Sequence, residues 1–94
     1  MIIVAGSLEV EAAERAAYLD NCVAAVEQAH NAPGCLAFAL GADIVDASRI
    51  NVYERWESES DLMAFRQSGP DDEQQSSIKD ASVRRYEVAS EGPA

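Results

Sequence analysis

Residues 49–57 of this 94-residue chain read RINVYERWE, and they give the clearest strand signal in the sequence. Large apolar side chains recur at every second position, as they do in a strand that buries one face. The predicted inner face carries bulky apolar groups and one carboxylate, namely Ile50, Val52, Glu54 and Trp56. The predicted outer face carries Asn51, Tyr53 and Arg55.

The segments around this strand give an ordered series of strands and helices. Strands are predicted at residues 1–8, 35–41 and 83–89, which are rich in apolar residues. A long helix is predicted before Pro33-Gly34, because apolar residues recur there at spacings of three and four. This stripe consists of Ala12, Ala16, Leu19, Val23, Val26 and His30. Ser58, with Asp61 three residues on, is predicted to cap a second helix.

The order strand, helix, strand, strand, helix, strand predicts an α+β domain of the ferredoxin-like type, βαββαβ. In such a domain a four-stranded antiparallel sheet carries both helices on one face. We expect one domain over residues 1–90 and a tail at 91–94. The other face of the sheet is expected to be apolar and bare, and a second copy of the chain is its simplest cover. A homodimer is therefore predicted, with Tyr53 and Arg55 at its interface.

Residues 67–81 differ in kind from the rest of the chain, because Ile78 is their one large apolar residue. A short helix beginning at Pro70 is predicted, since proline suits the first helical turn. The acids at 71–73 are interpreted as solvated helix-start residues rather than metal ligands. Two roles stay open for this segment, a flap that closes over a ligand and a plain connection.

The formal net charge of −10 bears on the partners of the protein. This sign disfavours binding to nucleic acid and to anionic membrane surfaces. No apolar run approaches the length of about 18 residues that a membrane span needs. The amino terminus, MIIVAGSLEVE, lacks the basic region of a secretory signal, so a cytoplasmic location is predicted.

The cysteines and the histidine give no pattern of a metal site. Cys22 and Cys35 form no C-x-x-C motif, and they are interpreted as buried reduced thiols. His30 is the only histidine, and it is predicted to end the first helix, where a cation suits the helix dipole. No bound metal and no cofactor are predicted.

Three features in residues 33–58 carry a family resemblance. They are the strand opening Pro33-Gly34-Cys35-Leu36, the acidic connection with Asp43 and Asp46, and the hexapeptide YERWES at 53–58. With these features the chain resembles the antibiotic-biosynthesis monooxygenase family. The resemblance implies a dimeric α+β barrel with a cavity in each subunit between sheet and helices. It also implies oxidation of a small aromatic, quinol or polyketide-like molecule by O₂ without metal or flavin.

The same resemblance implies where a substrate would bind. Trp56 would line the cavity, although it is equally well interpreted as a core aromatic residue. The full predicted pocket consists of Trp56, Val52, Leu62, Phe65, Leu19 and Val23. Family members that act on polyketide phenols carry Asn four residues before this Trp and Tyr six residues after it, and many relatives carry His nine residues after it. This chain has Val52, Leu62 and Phe65 at those places, so the usual polar groups are missing.

Two candidate catalytic residues and three hypotheses for function follow from this reading. Trp56 and Glu54 are the catalytic candidates, Glu54 as a proton acceptor whose pKa would rise on desolvation. An ion pair of Glu54 with Arg84 or Arg85 on a neighbouring strand is the preferred alternative. The leading function is a cofactor-independent monooxygenase; the alternative is a non-catalytic dimeric module that binds ligands or is associated with stress. Haem binding ranks third, since the family's haem-ligand histidine has no equivalent.

Overall fold

The helices and strands follow the predicted order in a computed structural model that describes residues 1–67 and 77–94. The strands are β1 (Ile2–Glu9), β2 (Cys35–Ala42), β3 (Arg49–Trp56) and β4 (Asp80–Glu87), and the helices are α1 (Arg15–His30) and α2 (Glu59–Gln67). A 3₁₀ turn, Ala12–Glu14, precedes α1. β4 begins three residues before the predicted strand, and the predicted helix at Pro70 lies outside the described residues. None of the described helices has the length and apolar character needed to cross a bilayer.

The four strands form one antiparallel sheet in the order β2-β3-β1-β4. β3 is therefore internal and pairs with two neighbours. Val4 of β1 lies opposite Glu54 of β3 on one side and opposite Arg85 of β4 on the other. The pairing of β2 with β3 shifts register between Cys35 and Ala37, and this bulge leaves Leu36 exposed instead of on the apolar face with Phe38.

The hydrophobic core lies between the sheet and α2. Its central cluster consists of Ile2, Val4, Trp56 and Leu62, with Trp56 and Leu62 fully buried. α2 reaches this position because Ser58 caps it, as predicted: the backbone N–H of Asp61 donates to Ser58 Oγ at 3.2 Å. The Ser58 hydroxyl in turn donates to Asp61 Oδ2 at 2.9 Å. These two bonds fix the start of the helix.

The buried face of α1 differs from the predicted stripe. Cys22 and Ala29 are its buried residues, whereas Val23 is 52% exposed and His30 is exposed. The small side chains of α1 face the sheet, and larger apolar residues such as Val23 lie on the flank of the helix. His30 does end the helix as predicted, and its Nε2 donates to the carbonyl of Phe38 at 2.9 Å.

The start of α1 is fastened to the connection between β2 and β3 by one side chain. Arg15 Nη1 donates to the carbonyl oxygens of Asp46 at 2.8 Å and of Asp43 and Arg49 at 3.3 Å. Asp43 orders the same connection by accepting hydrogen bonds from Asp46 N and Val45 N and from the side chain of Asn51. Led by the bond from Asp46, these contacts lower the pKa of Asp43 to about 2.

A substitution at Gly34 tests the contact between α2 and the start of β2. Its φ of +80° favours glycine, and a Cβ there would lie 2.2 Å from Asp61 Oδ2. We expect Gly34→Ala to lower the free energy of unfolding by about 1–3 kcal/mol, since it forces a strained backbone and displaces the helix cap. Chemical denaturation measures the change. Gly41→Ala is the control, because nothing lies within 4 Å of its Cβ position; equal stability of the two variants would contradict this account.

Candidate functional site

An apolar cavity of about 690 Å³ lies between α1 and the inner face of the sheet. Its volume falls within the range of about 300–1,000 Å³ found for small-molecule sites. The sheet contributes Leu8, Phe38, Leu40, Val52, Glu54 and Val83, α1 contributes Tyr18, Cys22 and Ala25 among others, and α2 contributes Phe65. Ile78 and Asp80 complete the wall near the start of β4. The cavity is thus mostly apolar, with a few polar groups.

The wall formed by β3 holds a carboxylate in a fixed position. Trp56 Nε1 donates a hydrogen bond to Glu54 Oε1 at 3.0 Å. The two residues are two positions apart on one strand, so their side chains point to the same side of the sheet. Trp56 is itself immobilised in the core, where its ring centroid lies 5.3 Å from that of Phe65. The strand therefore presents Glu54 to the cavity from a rigid support.

The surroundings of Glu54 favour its protonated form. Burial in this apolar wall raises the pKa of Glu54, while the hydrogen bond from Trp56 and the charge of Arg66 act in the opposite direction. The preferred prediction of an ion pair with Arg84 or Arg85 is wrong. β1 lies between β3 and β4, and Arg85 instead pairs with Glu59 of α2.

The wall formed by α1 carries two groups that remain protonated. Tyr18 and Cys22 stand one helical turn apart and share a side-chain hydrogen bond. Desolvation, followed by the neighbouring Cys22, raises the pKa of Tyr18 to about 12. Desolvation also raises the pKa of Cys22. Neither group carries a charge near neutral pH, so neither Tyr18 nor Cys22 can serve as a base.

The structure divides the six predicted pocket residues among three places. Val52 and Phe65 line the cavity. Trp56 and Leu62 are fully buried in the core, so neither presents a surface to a ligand; for Trp56 the core interpretation applies. Leu19 and Val23 line a separate groove on the flank of α1 beside Leu40. Their placement follows from the rotation of α1 relative to the predicted stripe.

Several lining residues were missed by the sequence reasoning. Tyr18, Cys22 and Ala25 have the spacing of a helix face, a second possible stripe that lies beside the one chosen. Phe38 stands on β2 next to a predicted pocket strand, and alternation with Leu40 could have placed it there. No sequence pattern indicated that Ile78 and Asp80 would line the cavity. Ile78 precedes β4 and Asp80 begins it, in the segment for which a flap and a plain connection both stayed open.

The two cysteines differ in burial: Cys22 is buried as predicted, whereas Cys35 is half-buried. Cys22 and Cys35 are both free cysteines, and burial raises the pKa of both. Within residues 1–67 and 77–94, no group of three His, Cys, Asp or Glu side chains is placed to hold a metal ion.

Comparisons with known proteins agree with this architecture. The family profile described as antibiotic biosynthesis monooxygenase matches residues 1–77. Among solved structures, a protein from Deinococcus radiodurans provisionally named as such a monooxygenase is similar, with 16% identity and a TM-score of 0.81 over 100% of this chain and 98% of its own. One from Caulobacter crescentus with the same provisional name has 20% identity and a TM-score of 0.80 over 95% and 90% of the two chains.

A third similar structure comes from Nitrosomonas europaea and carries the same provisional name. It has 15% identity and a TM-score of 0.80, over 96% of this chain and 100% of its own. At these identities the three likenesses establish the fold alone. No curated protein matches the sequence.

Replacing Glu54 with glutamine tests the environment of the carboxylate. The pKa of the Glu54 carboxyl is raised in the folded protein, so the folded state binds the proton more tightly than the unfolded state does. The stability that protonated Glu54 contributes is therefore lost as the pH rises through the folded pKa. We expect Glu54→Gln, which keeps an acceptor for Trp56, to have a higher melting temperature than the wild type at about pH 7. At about pH 3.5, below the unfolded glutamate pKa, the difference should disappear.

Thermal denaturation followed by circular dichroism at both pH values measures this difference. Glu57→Gln is the control, because Glu57 is exposed at the end of the same strand. A variant at position 54 that is less stable than the wild type at neutral pH would contradict the description of a desolvated carboxylate.

Proposed function

We propose that this protein, which belongs to the antibiotic biosynthesis monooxygenase family, oxidises a small aromatic or quinol-like molecule with O₂ and without metal or flavin. The family membership supports monooxygenase chemistry in general. The substrate class and the direct use of O₂ are the parts of the proposal that rest on the chemistry of the site.

The observation that carries the proposal is the apolar cavity with one half-buried carboxylate in its wall. Phe38 and Phe65, whose ring centroids lie 5.6 Å apart, supply aromatic surface to it. Flat aromatic molecules favour such surfaces, and apolar walls around a bound molecule restrict its contact with water. The cavity offers what an oxidisable phenol needs, namely space, aromatic contacts and few competing polar groups.

The reaction draws its electrons from the substrate. A phenol or enol that has lost its proton is reducing enough to react with O₂ directly, so the protein has to bind, orient and shield it. For a substrate with an activated CH₂ group, one oxygen atom enters the ring as a carbonyl and the other leaves as water. The two CH₂ hydrogens end in that water, which balances the reaction without a further reductant.

A homodimer in the cytoplasm is part of the same proposal. The face of the sheet opposite the helices carries Tyr53 and Tyr86, which are 39% and 51% exposed. Arg55 Nε on that face is buried, and it has no hydrogen-bond partner within the described part of the chain. A second copy would cover the tyrosines and supply an acceptor for this donor.

Oxygen consumption tests the proposed activity. We expect metal-free protein to accelerate O₂ uptake with anthrone-type phenols or hydroquinones above the rate in buffer. Ala25→Phe places a ring in the cavity and should lower kcat/KM about tenfold or more by displacing the substrate. Ala17→Phe, at an exposed position of the same helix, is the control. If the wild type binds these compounds without any uptake, the non-catalytic ligand-binding module replaces this proposal.

Sedimentation velocity tests the proposed dimer. We expect a particle of about twice the 10.1 kDa chain mass at micromolar concentration. Tyr53→Asp should shift it toward the monomer, because it places a charge on the surface to be covered. Val23→Asp puts the same charge on a half-exposed site of α1, away from that face, and should leave the dimer intact. A monomeric wild type would exclude the dimer.

A further inference from the structure

The cavity contains few groups that can take a proton. The titratable and charged groups around Glu54 come from every neighbouring element: Tyr18 and Cys22 from α1, Cys35 from β2, Arg66 from α2, and Asp80 and Arg85 from β4. Tyr18 and the two thiols are held protonated by burial. The arginines are cations. Among the residues that the structure describes around this cavity, the two carboxylates Glu54 and Asp80 remain as bases.

The two carboxylates differ in their exposure to water and in their hydrogen bonds. Asp80 is exposed to water, and its Oδ1 accepts a bond from the backbone of Ala81 at 3.0 Å. Glu54 is half-buried on the sheet wall, and one of its oxygens is held by the indole of Trp56. No hydrogen bond to its other oxygen, Oε2, is found within residues 1–67 and 77–94. A carboxylate fixed through one oxygen keeps the other for a ligand.

We infer that the Glu54 carboxylate accepts the hydroxyl proton of the substrate and that Trp56 is the residue that positions it. In this step the substrate O–H bond breaks and an O–H bond forms on Glu54. No electron leaves the substrate at this point, and the negative charge moves from Glu54 to the substrate oxygen. The inference rests on the proposed function for its substrate class.

The environment of Glu54 suits this exchange. Desolvation makes the carboxylate a stronger base than a glutamate in water, so the proton transfer to it costs less. The Trp56 indole is fully buried and held against Phe65, which limits the positions that Glu54 can take. The role of Trp56 is therefore indirect, because its ring does not reach the cavity surface.

Kinetics of the wild type and of Glu54→Gln form the first arm of the test. The probe is 1,8-dihydroxyanthrone, an anthrone-type phenol that carries both a hydroxyl group and an activated CH₂ group. We expect kcat/KM of the wild type to fall as the pH drops through the pKa of Glu54, because the protonated acid accepts no proton. Glu54→Gln should lower kcat/KM about 100-fold or more and abolish this acid limb. Glu57→Gln, the exposed neighbour on the same strand end, should behave as the wild type.

The role of Trp56 has its own readout. Trp56→Phe keeps an aromatic ring in the core and removes the Nε1–H donor. Since that bond lowers the pKa of Glu54, its loss should move the acid limb of kcat/KM to higher pH. A merely structural role would lower activity at every pH without moving the limb, and that result would overturn the positioning role.

Binding provides an arm that needs no turnover. 2-Naphthol can donate a hydrogen bond to Glu54, whereas 2-methoxynaphthalene cannot. Calorimetry should show the wild type binding the naphthol about tenfold more tightly near neutral pH, and Glu54→Gln should reduce this preference. If the wild type consumes no O₂ with anthrone-type phenols or hydroquinones, the proposed function fails while this comparison still decides the role of Glu54.

Three results would overturn the inference. The first is equal binding of 2-naphthol and 2-methoxynaphthalene by the wild type, and the second is an unchanged kcat/KM in Glu54→Gln. The third is a fall in kcat/KM and in the preference for 2-naphthol that appears in Asp80→Asn instead of in Glu54→Gln. Because Glu54→Gln is expected to fold at least as stably as the wild type, each outcome can be interpreted.

Discussion

The antiparallel pairing of β3 with β1 on one side and with β2 on the other is the constraint on which the rest of the structure depends. A strand held on both edges cannot slip by one residue without turning its inner face outward. That fixed register places Ile50 and Trp56 in the core at the two ends of the strand and Val52 and Glu54 at the cavity between them. Core and site thus belong to one alternating run of side chains.

The cavity exists because α1 and α2 approach this face differently. α2 inserts Leu62 fully into the core and is fixed at its start by Ser58. α1 instead faces the middle of the sheet with small residues such as Cys22 and Ala25. Small side chains above Val52 and Glu54 leave a space that close packing would otherwise fill. The protein gives up buried contacts there, as binding sites require.

Most of the fold could be predicted from the sequence, because the spacing of apolar residues identifies its strands and helices, and capping and turn residues mark their ends. Alternation identified β3, and Ser58 identified the start of α2. The rotation of α1 could not be predicted reliably, since Leu19 and Val23 form as good a stripe as Tyr18, Cys22 and Ala25. Which stripe is buried depends on how closely the sheet is approached, a tertiary property.

The site could be predicted only where it follows from strand alternation. Val52 and Glu54 were placed correctly on the inner face, and the family resemblance added Phe65. The interaction of Trp56 with Glu54 was missed, although the two residues were predicted to share a face, because charge pairing with an arginine was preferred. That choice required β4 to lie beside β3, and strand order in a sheet is set by non-local contacts that a local pattern does not contain.

The departures from the family pattern and the observed carboxylate are physically connected. The resemblance implies polar groups at the positions of Val52, Leu62 and Phe65. Of these apolar residues, Val52 and Phe65 line the cavity, and neither can donate a hydrogen bond to a bound oxygen atom. Burial of Glu54 in this apolar wall raises its pKa. Polar replacements at these positions would solvate the carboxylate and weaken it as a base. Under the proposed role of Glu54, the chemistry of the β3 wall lies in this one residue, whose position is fixed by the hydrogen bond from the Trp56 indole.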